Sequence, residues 1–457
     1  MIVVSHRGPF GFAVDDGDSL RPTRGPGGLA ATLHALTAAG RLRDATCISA
    51  AMSAGDRTAM QAESLPDTGT TVRFVDLDER EHRLHYEVVS NEVLWFLFHG
   101  IFDLPRTPTF GRAFADAWDA YTNVNRAFAD CVAEQARTGD VVLVQDYPLA
   151  LVPGMLTTRR PDLRVAYFAH TPFCGPGGMR MLPDQVAAEL CGSLASVPCG
   201  FHTHRWADAY DANARLVLGA TAPVAPTFVA PLGPDPQGLA AIAASPSVGS
   251  AADELDALVG DRALLFRSDR IDLTKNIARG FAAYDELLER HPEWRGRVVF
   301  VARLNRSREA LPQYAAYRDE TERVAARVNE RWATPAWQPL VVDTRDDFAR
   351  TLAGFLRYDA LLVNAIKDGL NLVAKEGPLV NERDGVLCLS PETGAWEELH
   401  DHVQRVHPYD VVQTAEALHA ALSLRGPERQ ARATALRAAC AARTPDDWLA
   451  DMVAAAG

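Results

Sequence analysis

Two groups of charged side chains come directly after apolar runs that have the composition of buried strands. Arg270 and Lys275 follow the run ALLF, and Asp368 and Glu376 follow the run ALLV. A guanidinium fork and a compact ammonium, five residues apart, suit a diphosphate group. The carboxylates could accept hydrogen bonds, Asp368 from sugar hydroxyls and Glu376 from a ribose diol. A solvated charge run, an N-capping Asp and a surface Glu are the plain alternatives.

Two turns could bind an anion through main-chain N–H groups. Gly27 and Gly28 precede a helix, and a turn after Asp368 precedes another helix, whose first N–H groups have no partner within it. Neither stretch matches the GxGxxG fingerprint or the GxxxxGK[ST] loop. The chain therefore lacks the sequence signatures of dinucleotide-binding proteins and of P-loop proteins. An ordinary turn is the alternative for the glycine pair. The second turn consists of Leu370, Asn371, Leu372 and Val373.

Further candidates stand at or near other apolar runs. Asp146 and His170 each follow one, Trp95 lies within one, and Arg308 belongs to an arginine-rich segment. Taken alone, His170 could be a structural histidine, Trp95 a core residue and Arg308 a solvated charge. The seven cysteines are scattered and show no CxxC spacing, so neither a disulfide framework nor a zinc site is expected. Reduced core cysteines predict a cytoplasmic protein.

An alternation of strands and helices must position these residues. The runs IVVSHR, ATCISAA, VLWFLF, DVVLVQDY and RVAYFAH predict strands, and the segments between them have the three-to-four spacing of amphipathic helices. The alternation resumes after a stretch rich in Pro, Gly, Ser and Ala at residues 222–252. We therefore predict an α/β fold with two doubly wound parallel sheets. Ligands should bind at the carboxyl ends of the strands, in a cleft between the sheets.

The composition excludes several classes of protein. The chain has 457 residues, 46 Lys and Arg against 59 Asp and Glu, and a net charge of −13, which argues against a nucleic-acid binder. No run approaches the roughly 18 uncharged apolar residues of a membrane span, and the first residues do not read as a secretory signal. The 47 % apolar content is ample for the cores of two or three domains.

Several motifs follow one another along the chain: SHRGP, GGLA, YEVVSNEVLWFLFH, QDYPL, AHTPF, GFHTHRWADAY, RIDLTKN, SREALPQY and DGLNLVAKE followed by GVLCLS. Taken in this order, they resemble the trehalose-6-phosphate synthase family of retaining GT-B glycosyltransferases. The resemblance extends from about residue 2 to about residue 422. It implies two Rossmann-like domains, an acceptor-binding one at 1–235 and a nucleotide-sugar-binding one at 236–435, with a C-terminal helix at 436–457 packing back on the first.

The resemblance also implies an activity: transfer of a hexosyl group from a nucleotide diphosphate sugar to a sugar 6-phosphate, giving an α-linked product. His170 and Asp368 would hold the transferred ring, and Arg270 and Lys275 would stabilise the leaving diphosphate. Neither a metal nor a cofactor is implied, since the donor is a co-substrate. The donor set would be Gly27, Gly28, Arg270, Lys275, Leu370, Asn371, Leu372, Val373 and Glu376. The acceptor set would be Arg7, Tyr86, Trp95, Asp146 and Arg308.

Departures from the family pattern leave alternatives open. His6 stands where the family usually has Asn, Asn276 where it has Gly, and Cys174 where it has Pro. Lys275-Asn276 and PLVNERD resemble validoxylamine 7′-phosphate synthase, a pseudoglycosyltransferase that couples a nucleotide-linked cyclitol to an aminocyclitol phosphate through a C–N bond. A silent sugar-phosphate-binding regulator is a weaker alternative, because the diphosphate-binding residues are retained. An epimerase needs a general acid/base pair near the sugar. A phosphorylase needs a pyridoxal lysine, and the other lysines, Lys367 and Lys375, lie within the nucleotide-type motif. The sequence is also compatible with a homo-oligomer.

Overall fold

The computed structural model describes residues 1–15, 19–25 and 27–457. The chain forms two compact units, one of residues 1–232 with 445–457 and the other of residues 233–444. Throughout the described residues, no helix combines the length and apolar character needed to cross a membrane.

The first unit contains a seven-stranded sheet in which every pairing is parallel. Its central strands are buried along their whole length, as expected for apolar runs covered by helices on both faces. A separate antiparallel hairpin pairs β2 with β3. The sheet order is β5-β4-β1-β6-β7-β8-β9. The strands are β1 Ile2–Ser5, β2 Phe10–Val14, β3 Leu20–Arg24, β4 Thr46–Ala50, β5 Thr71–Val75, β6 Val141–Gln145, β7 Arg164–Phe168, β8 Cys199–Phe201 and β9 Thr227–Val229.

Helices connect these strands, as parallel pairing requires. The helix α18 returns from the end of the chain to this unit, where it lies against β6, β7 and α1 and buries Trp448 completely. The helices are α1 Gly28–Ala38, α2 Ala54–Gln61, α3 Glu79–Arg83, α4 Trp95–His99, α5 Arg112–Gln135, α6 Val152–Arg159, α7 Asp184–Ala195, α8 His204–Leu218 and α18 Pro445–Ala455. A π-helix, Leu84–Leu94, joins α3 to α4.

The second unit has a six-stranded parallel sheet around one large apolar core. The order is β12-β11-β10-β13-β14-β15. The strands are β10 Ala263–Arg270, β11 Val298–Asn305, β12 Leu340–Asp343, β13 Ala360–Val363, β14 Val386–Leu389 and β15 Gln404–Arg405. The helices are α9 Pro236–Ala243, α10 Pro246–Val259, α11 Ile277–Arg290, α12 Pro312–Trp332, α13 Phe348–Arg357, α14 Val373–Val380, α15 Trp396–Leu399, α16 Val411–Ser423 and α17 Gly426–Ala441.

The two parallel sheets with their crossover helices confirm the predicted α/β class. The prediction of a strand at VLWFLF is wrong, because residues 93–98 belong to the π-helix and to α4. The N–H of Trp95 donates to the carbonyl of Ser90, the five-residue step of a π-helix. Every residue of α4 is buried. A short run that is apolar all round carries no periodicity, so it cannot distinguish a buried helix from a buried strand.

Candidate functional site

At the carboxyl edge of the second sheet, Lys275 lies between two carboxylates. It belongs to a turn of 3-10 helix, Leu273–Lys275, that follows β10. Its Nζ donates to Oδ2 of Asp368 at 2.5 Å and lies 3.9 Å from Oδ1 of Asp269. Burial opposes the charged form, but Asp368 and Asp269 outweigh it and raise the pKa of Lys275. The ammonium is therefore held charged beside the tip of the DGLN turn.

Asp269 is itself fixed by a buried arginine of the same strand. Arg267 is fully buried, and its guanidinium donates to Oδ2 of Asp269 at 2.7 Å and to the carbonyl of Lys275 at 2.9 Å. Burial raises the pKa of Asp269, and the charges of Arg267 and Lys275 act against that rise. Arg267 thus holds the backbone that presents Lys275.

Asp272 brings Arg270 and Arg308 together. Its carboxylate is completely buried and accepts from Nη1 of Arg308 at 2.8 Å and from the hydroxyl of Tyr314 at 3.1 Å. The guanidinium of Arg270 lies 3.5 Å from the same carboxylate and is 48 % exposed. Arg308, with a φ of 48°, is in the left-handed region and only 10 % exposed. The two predicted phosphate-binding arginines of this unit therefore share one buried anion.

Asn276, one of the departures from the family pattern, has a left-handed backbone with φ 59°. Asn is one of the few residues apart from Gly that adopts this conformation readily. Its side chain is buried and donates to the carbonyls of Asn364 at 2.9 Å and Pro408 at 2.6 Å. The Asn therefore satisfies the same backbone requirement as Gly and adds two bonds that hold the start of α11.

The DGLN turn follows β13 and leads into α14. The N–H of Asp368 donates to the carbonyl of Glu392, and its carboxylate accepts from Nδ2 of Asn371 at 3.1 Å. Asn371 is left-handed, with φ 78°, and its Oδ1 accepts from the N–H of Ala374. Leu372 is the N-cap of α14, and Val373 is its first residue. Asp368 is thus oriented by the same turn that presents the amino end of α14, as the sequence predicts for Leu370–Val373.

The adjacent Lys375 and Glu376 differ in their surroundings. Lys375 is fully buried, and its Nζ donates to both carboxylate oxygens of Glu398 at 3.0 and 2.9 Å. Glu376 is half-buried in the first turn of α14. Lys375 therefore fixes α14 against α15. Glu376 remains the candidate for a contact with the ribose.

In the first unit, Arg7 follows the end of β1 and lies against aromatic rings. Its guanidinium carbon is 5.4 Å from the centre of the Tyr86 ring. His6 stacks on the other residues of this group, with its ring centre 4.4 Å from Tyr86 and its Nε2 3.1 Å from Nε2 of His82. His6 is 5 % exposed, and burial, together with neighbouring cationic groups, lowers its pKa well below the usual value. The histidine that replaces the family's Asn thus forms an uncharged aromatic support beside Arg7.

Asp146 and His170 follow adjacent strands, β6 and β7, and meet at their carboxyl ends. The backbone of Asp146 is left-handed, with φ 68°, and its Oδ1 accepts from the N–H of His170 at 3.1 Å. Nε2 of His170 lies 3.0 Å from Oε1 of Gln145. Burial lowers the pKa of His170 to about 3, so the ring is neutral near pH 7. The structure therefore brings these two predicted residues together.

The remaining candidates of this unit lie on other elements. Trp95, the first residue of α4, is 9 % exposed, and its ring centre is 3.9 Å from that of His99 and 6.1 Å from that of Tyr147. Gly27, with φ 102°, is the N-cap of α1, and Gly28 is its first residue. Nothing lies within 4 Å of the position that a Cβ of Gly27 would take. Gly27 and Gly28 therefore belong to the first unit, whereas the other predicted donor residues belong to the second.

Buried neutral histidines should make the chain sensitive to acid. Burial lowers the pKa of His85 to about 4, and its Nε2 lies 2.8 Å from the carbonyl of Pro148. Between pH 6.5 and about 4 the unfolded chain binds a proton that the folded chain does not, so stability falls as the pH drops through 6.5. We expect the urea midpoint to be lower at pH 5 than at pH 7.5, and to fall less in His85→Gln.

The matched control is His400→Gln, at a histidine that is 50 % exposed. It should reproduce the wild-type fall in the urea midpoint. An equal fall in His85→Gln and wild type would contradict the assignment of this acid sensitivity to His85.

Among the described residues, one group of three side chains could ligate a metal ion: His291, Glu293 and His419. Nε2 of His291 already lies 3.1 Å from a carboxylate oxygen of Glu416, and Nδ1 of His419 accepts from Nε1 of Trp294 at 3.0 Å. This group lies beyond the end of α11 and on α16, not after the strands that carry Lys275 and Asp368.

Several residues that organise these groups were not predicted from the sequence. Asp272 and Asp269 stand in the segment RSDRID, where alternating charges at a strand end were the available signal. Tyr314 lies in the SREALPQY motif and was not singled out. His82 and His85 carry no such signal. Only the fold places them against His6, His82 from α3 and His85 from the π-helix.

Comparison with known proteins identifies the family of the chain. The family model for glycosyltransferase family 20 matches residues 1–456. The bifunctional trehalose-6-phosphate synthase/phosphatase of Thermoproteus tenax is 32 % identical over 84 % of this chain and 53 % of its own length. The trehalose-6-phosphate synthase of Mycolicibacterium smegmatis is 31 % identical over 100 % of this chain and 92 % of its own.

A solved structure, an α,α-trehalose-phosphate synthase (UDP-forming) from Burkholderia vietnamiensis, superposes with a TM-score of 0.85 at 27 % identity, covering 100 % of this chain and 99 % of that one. The chain spans 53 % and 61 % of the length of two of the curated relatives that it matches. The family match extends over nearly the whole chain, and the fold is shared with the solved structure. The chain belongs to glycosyltransferase family 20.

Proposed function

We propose that this chain is a retaining glycosyltransferase that moves a hexosyl group from a nucleotide diphosphate sugar to a sugar 6-phosphate, in the manner of a trehalose-6-phosphate synthase. The observation that carries the proposal is the group at the carboxyl edge of the second sheet, where Lys275, Arg270 and Asp368 lie beside the amino end of α14. Family membership and the names of the relatives support the same reaction.

The positive charge at the carboxyl edge of the second sheet suits a diphosphate leaving group. Lys275 is a charged ammonium held by Asp368, and Arg270 is half-exposed with its guanidinium oriented by Asp272. In the proposed reaction the bond from the anomeric carbon to the diphosphate breaks while the acceptor hydroxyl forms a new bond on the same face. Its proton passes to the leaving phosphate. Fixed cations that meet this developing charge stabilise the transition state without reorganising.

Other residues would bind rather than react. Asp368 would accept from the hydroxyls of the transferred ring, and His170, being neutral, would hydrogen-bond to that ring as a neutral imidazole. Glu376 would accept from the ribose diol, and the N–H groups of Leu370 to Val373 would face the diphosphate. For the acceptor, Arg7 and Arg308 would bind the phosphate, and Tyr86, Trp95 and Asp146 the sugar.

The proposal also covers the metal requirement, the location and the partners of the protein. The reaction requires no metal, because Arg270 and Lys275 supply the positive charge at the diphosphate. The protein is cytoplasmic, a location supported by seven cysteines that are all free thiols in the structure. The partners are the nucleotide sugar and the phosphorylated acceptor. The relatives named above are trehalose-phosphate synthases, which does not favour the C–N coupling alternative.

The direct test is to incubate the purified chain with UDP-, GDP- or ADP-glucose, each with glucose 6-phosphate, after treatment with EDTA. We expect release of the nucleoside diphosphate and formation of a disaccharide phosphate, whose anomeric proton coupling in NMR identifies an α-linkage. Nucleotide release that is independent of glucose 6-phosphate, or a β-linked product, would contradict the proposal. A requirement for an added divalent metal would contradict its metal-free form.

Arg7→Ala tests the acceptor side. Removing the guanidinium should raise the KM for the acceptor by about tenfold or more, the effect of one charge-assisted bond to phosphate, with little change in the KM for the donor. Steady-state kinetics with each substrate varied in turn separates the two constants.

Tyr86→Phe is the matched control, since it keeps the ring on which Arg7 lies. It should alter the acceptor KM less than Arg7→Ala does. Equal increases in the acceptor and donor KM of Arg7→Ala would show that Arg7 does not bind the acceptor phosphate.

A further inference from the structure

A second cationic pocket lies at the opposite edge of the second sheet from Lys275. It opens at the amino ends of the strands, where Ala263 begins β10 and Arg297 directly precedes β11. Asp359 directly precedes β13, and Arg383 precedes β14 by three residues. Because β10 runs for eight residues at about 3.3 Å each, the two edges are roughly 25 Å apart. The pocket is therefore distinct from the proposed diphosphate site.

Positive charge dominates this pocket. Five arginines and two aspartates line it, in a chain whose net charge is −13. Its volume of about 740 Å³ is within the range of small-molecule sites, roughly 300–1,000 Å³. The arginines are Arg262, Arg297, Arg383, Arg425 and Arg429, and the aspartates are Asp261 and Asp359.

Two of the five guanidinium groups are held by uncharged carbonyls and not by carboxylates. Arg262 donates to the carbonyls of Gly296 at 3.2 Å and Ala336 at 2.8 Å. Arg425 donates to the carbonyls of Leu422 and Leu424. Carbonyl bonds orient a guanidinium but leave its charge uncompensated, so these two arginines can still attract an anion.

The other three arginines differ in how far a carboxylate compensates them. Arg429 reaches Oδ1 of Asp359 at 3.2 Å, and Arg383 lies 3.8 Å from a carboxylate oxygen of Asp256. Across the described part of the chain, the side chain of Arg297 makes no hydrogen bond or ion pair. Burial, and then the charge of Arg425, lower the pKa of Arg429, with Asp359 opposing them. An anion between Arg425 and Arg429 would relieve this repulsion.

We propose that this pocket binds a small anion carrying more than one phosphate group, separately from the donor and the acceptor. Guanidinium forks match phosphate oxygens in pairs, and arginines distributed around the rim suit several phosphates rather than one. The amino end of α17, whose N-cap Arg425 has no side-chain cap, adds N–H groups at the same rim. A concave pocket of this volume favours a compact ligand over an acidic protein segment.

The test measures binding of inorganic tripolyphosphate to the full chain by calorimetry at low ionic strength. Apart from any binding at the proposed diphosphate site, we expect one molecule to bind this pocket, with an affinity that weakens about tenfold or more in Arg297→Glu/Arg425→Glu. Arg297→Glu alone should also weaken binding, and it removes no side-chain hydrogen bond or ion pair seen among the described residues. The melting temperatures of the variants check that each is folded.

Two controls locate the site. Arg323→Glu/Arg327→Glu makes the same charge change on the exposed face of α12 and should keep wild-type affinity. Arg270→Ala, at the other edge of the sheet, should keep it as well. The proposal is overturned if tripolyphosphate does not bind, if the pocket variants bind it as wild type does, or if either control loses as much affinity. Tighter binding of a hexaglutamate peptide than of tripolyphosphate would also overturn it, in favour of an acidic protein partner.

Discussion

Lys275→Ala is expected to lower kcat by about 100-fold or more, which is the effect of removing one preorganised group that meets transition-state charge. The ammonium is positioned by Asp368 at 2.5 Å and Asp269 at 3.9 Å, and these carboxylates keep it protonated. Its loss also leaves two carboxylates facing the proposed diphosphate, which adds repulsion where the lysine supplied attraction. The measurement is kcat at saturating donor and acceptor, with the folded fraction determined by circular dichroism.

Lys375→Met is the matched control, because it removes another buried ammonium 100 residues along the chain and close to the same turn. Lys375 pairs with Glu398, whereas Lys275 pairs with Asp368. We therefore expect a lower urea midpoint and a far smaller change in the kcat of the folded protein. If both variants lost kcat equally, the role of Lys275 would be structural.

Asp272→Ala is expected to destabilise the chain by about 3–5 kcal/mol, the range for removing one partner of a buried ion pair. Its carboxylate is completely buried and is bonded to Arg308, which is 10 % exposed, and to Tyr314. It also accepts from the N–H of Thr274, which fixes the turn that presents Lys275. Equilibrium urea unfolding measures this loss, and we expect activity to fall with it because Arg270 and Arg308 lose their shared anion.

Asp272→Asn separates charge from hydrogen bonding. The amide retains one oxygen, which can accept from Tyr314 or Thr274, but it carries no charge for Arg308. We expect an intermediate loss of stability, smaller than that of the alanine variant. An alanine variant as stable as wild type would show that Asp272 does not hold the two arginines together.

Much of the candidate site could be predicted because short motifs encode it locally. The turn at Asp368 and the amino end of α14 depend on residues within one motif. The same short sequence therefore predicts both the side chains and the backbone that positions them. Asp146 and His170 were each predicted at the end of a strand, but the sequence did not predict their contact. Register decides that they meet, and Gln145 pairs with Phe168 in the sheet.

Other features could not be predicted because they depend on contacts between distant segments. Arg308 meets Asp272 across 36 residues, and Lys275 meets Asp368 across 93. The π-helix that stacks Tyr86 on His6 packs against α5, a later segment of the chain, and this contact cannot be predicted from the π-helix's own residues. The arginines of the second pocket are spread from Arg262 to Arg429 and converge only at the amino edge of the sheet.

The sequence by itself therefore determined the α/β class, the family and the residues that follow each strand, because the alternation of apolar runs and the motifs at their ends are local properties. Only the tertiary structure decided which of those residues touch. It paired Lys275 with Asp368, joined Arg270 to Arg308 through Asp272, and placed a second group of arginines at the far edge of the same sheet. The physical reason is that burial forces charged side chains to find partners, and the partners come from whichever strands the parallel register brings to one edge.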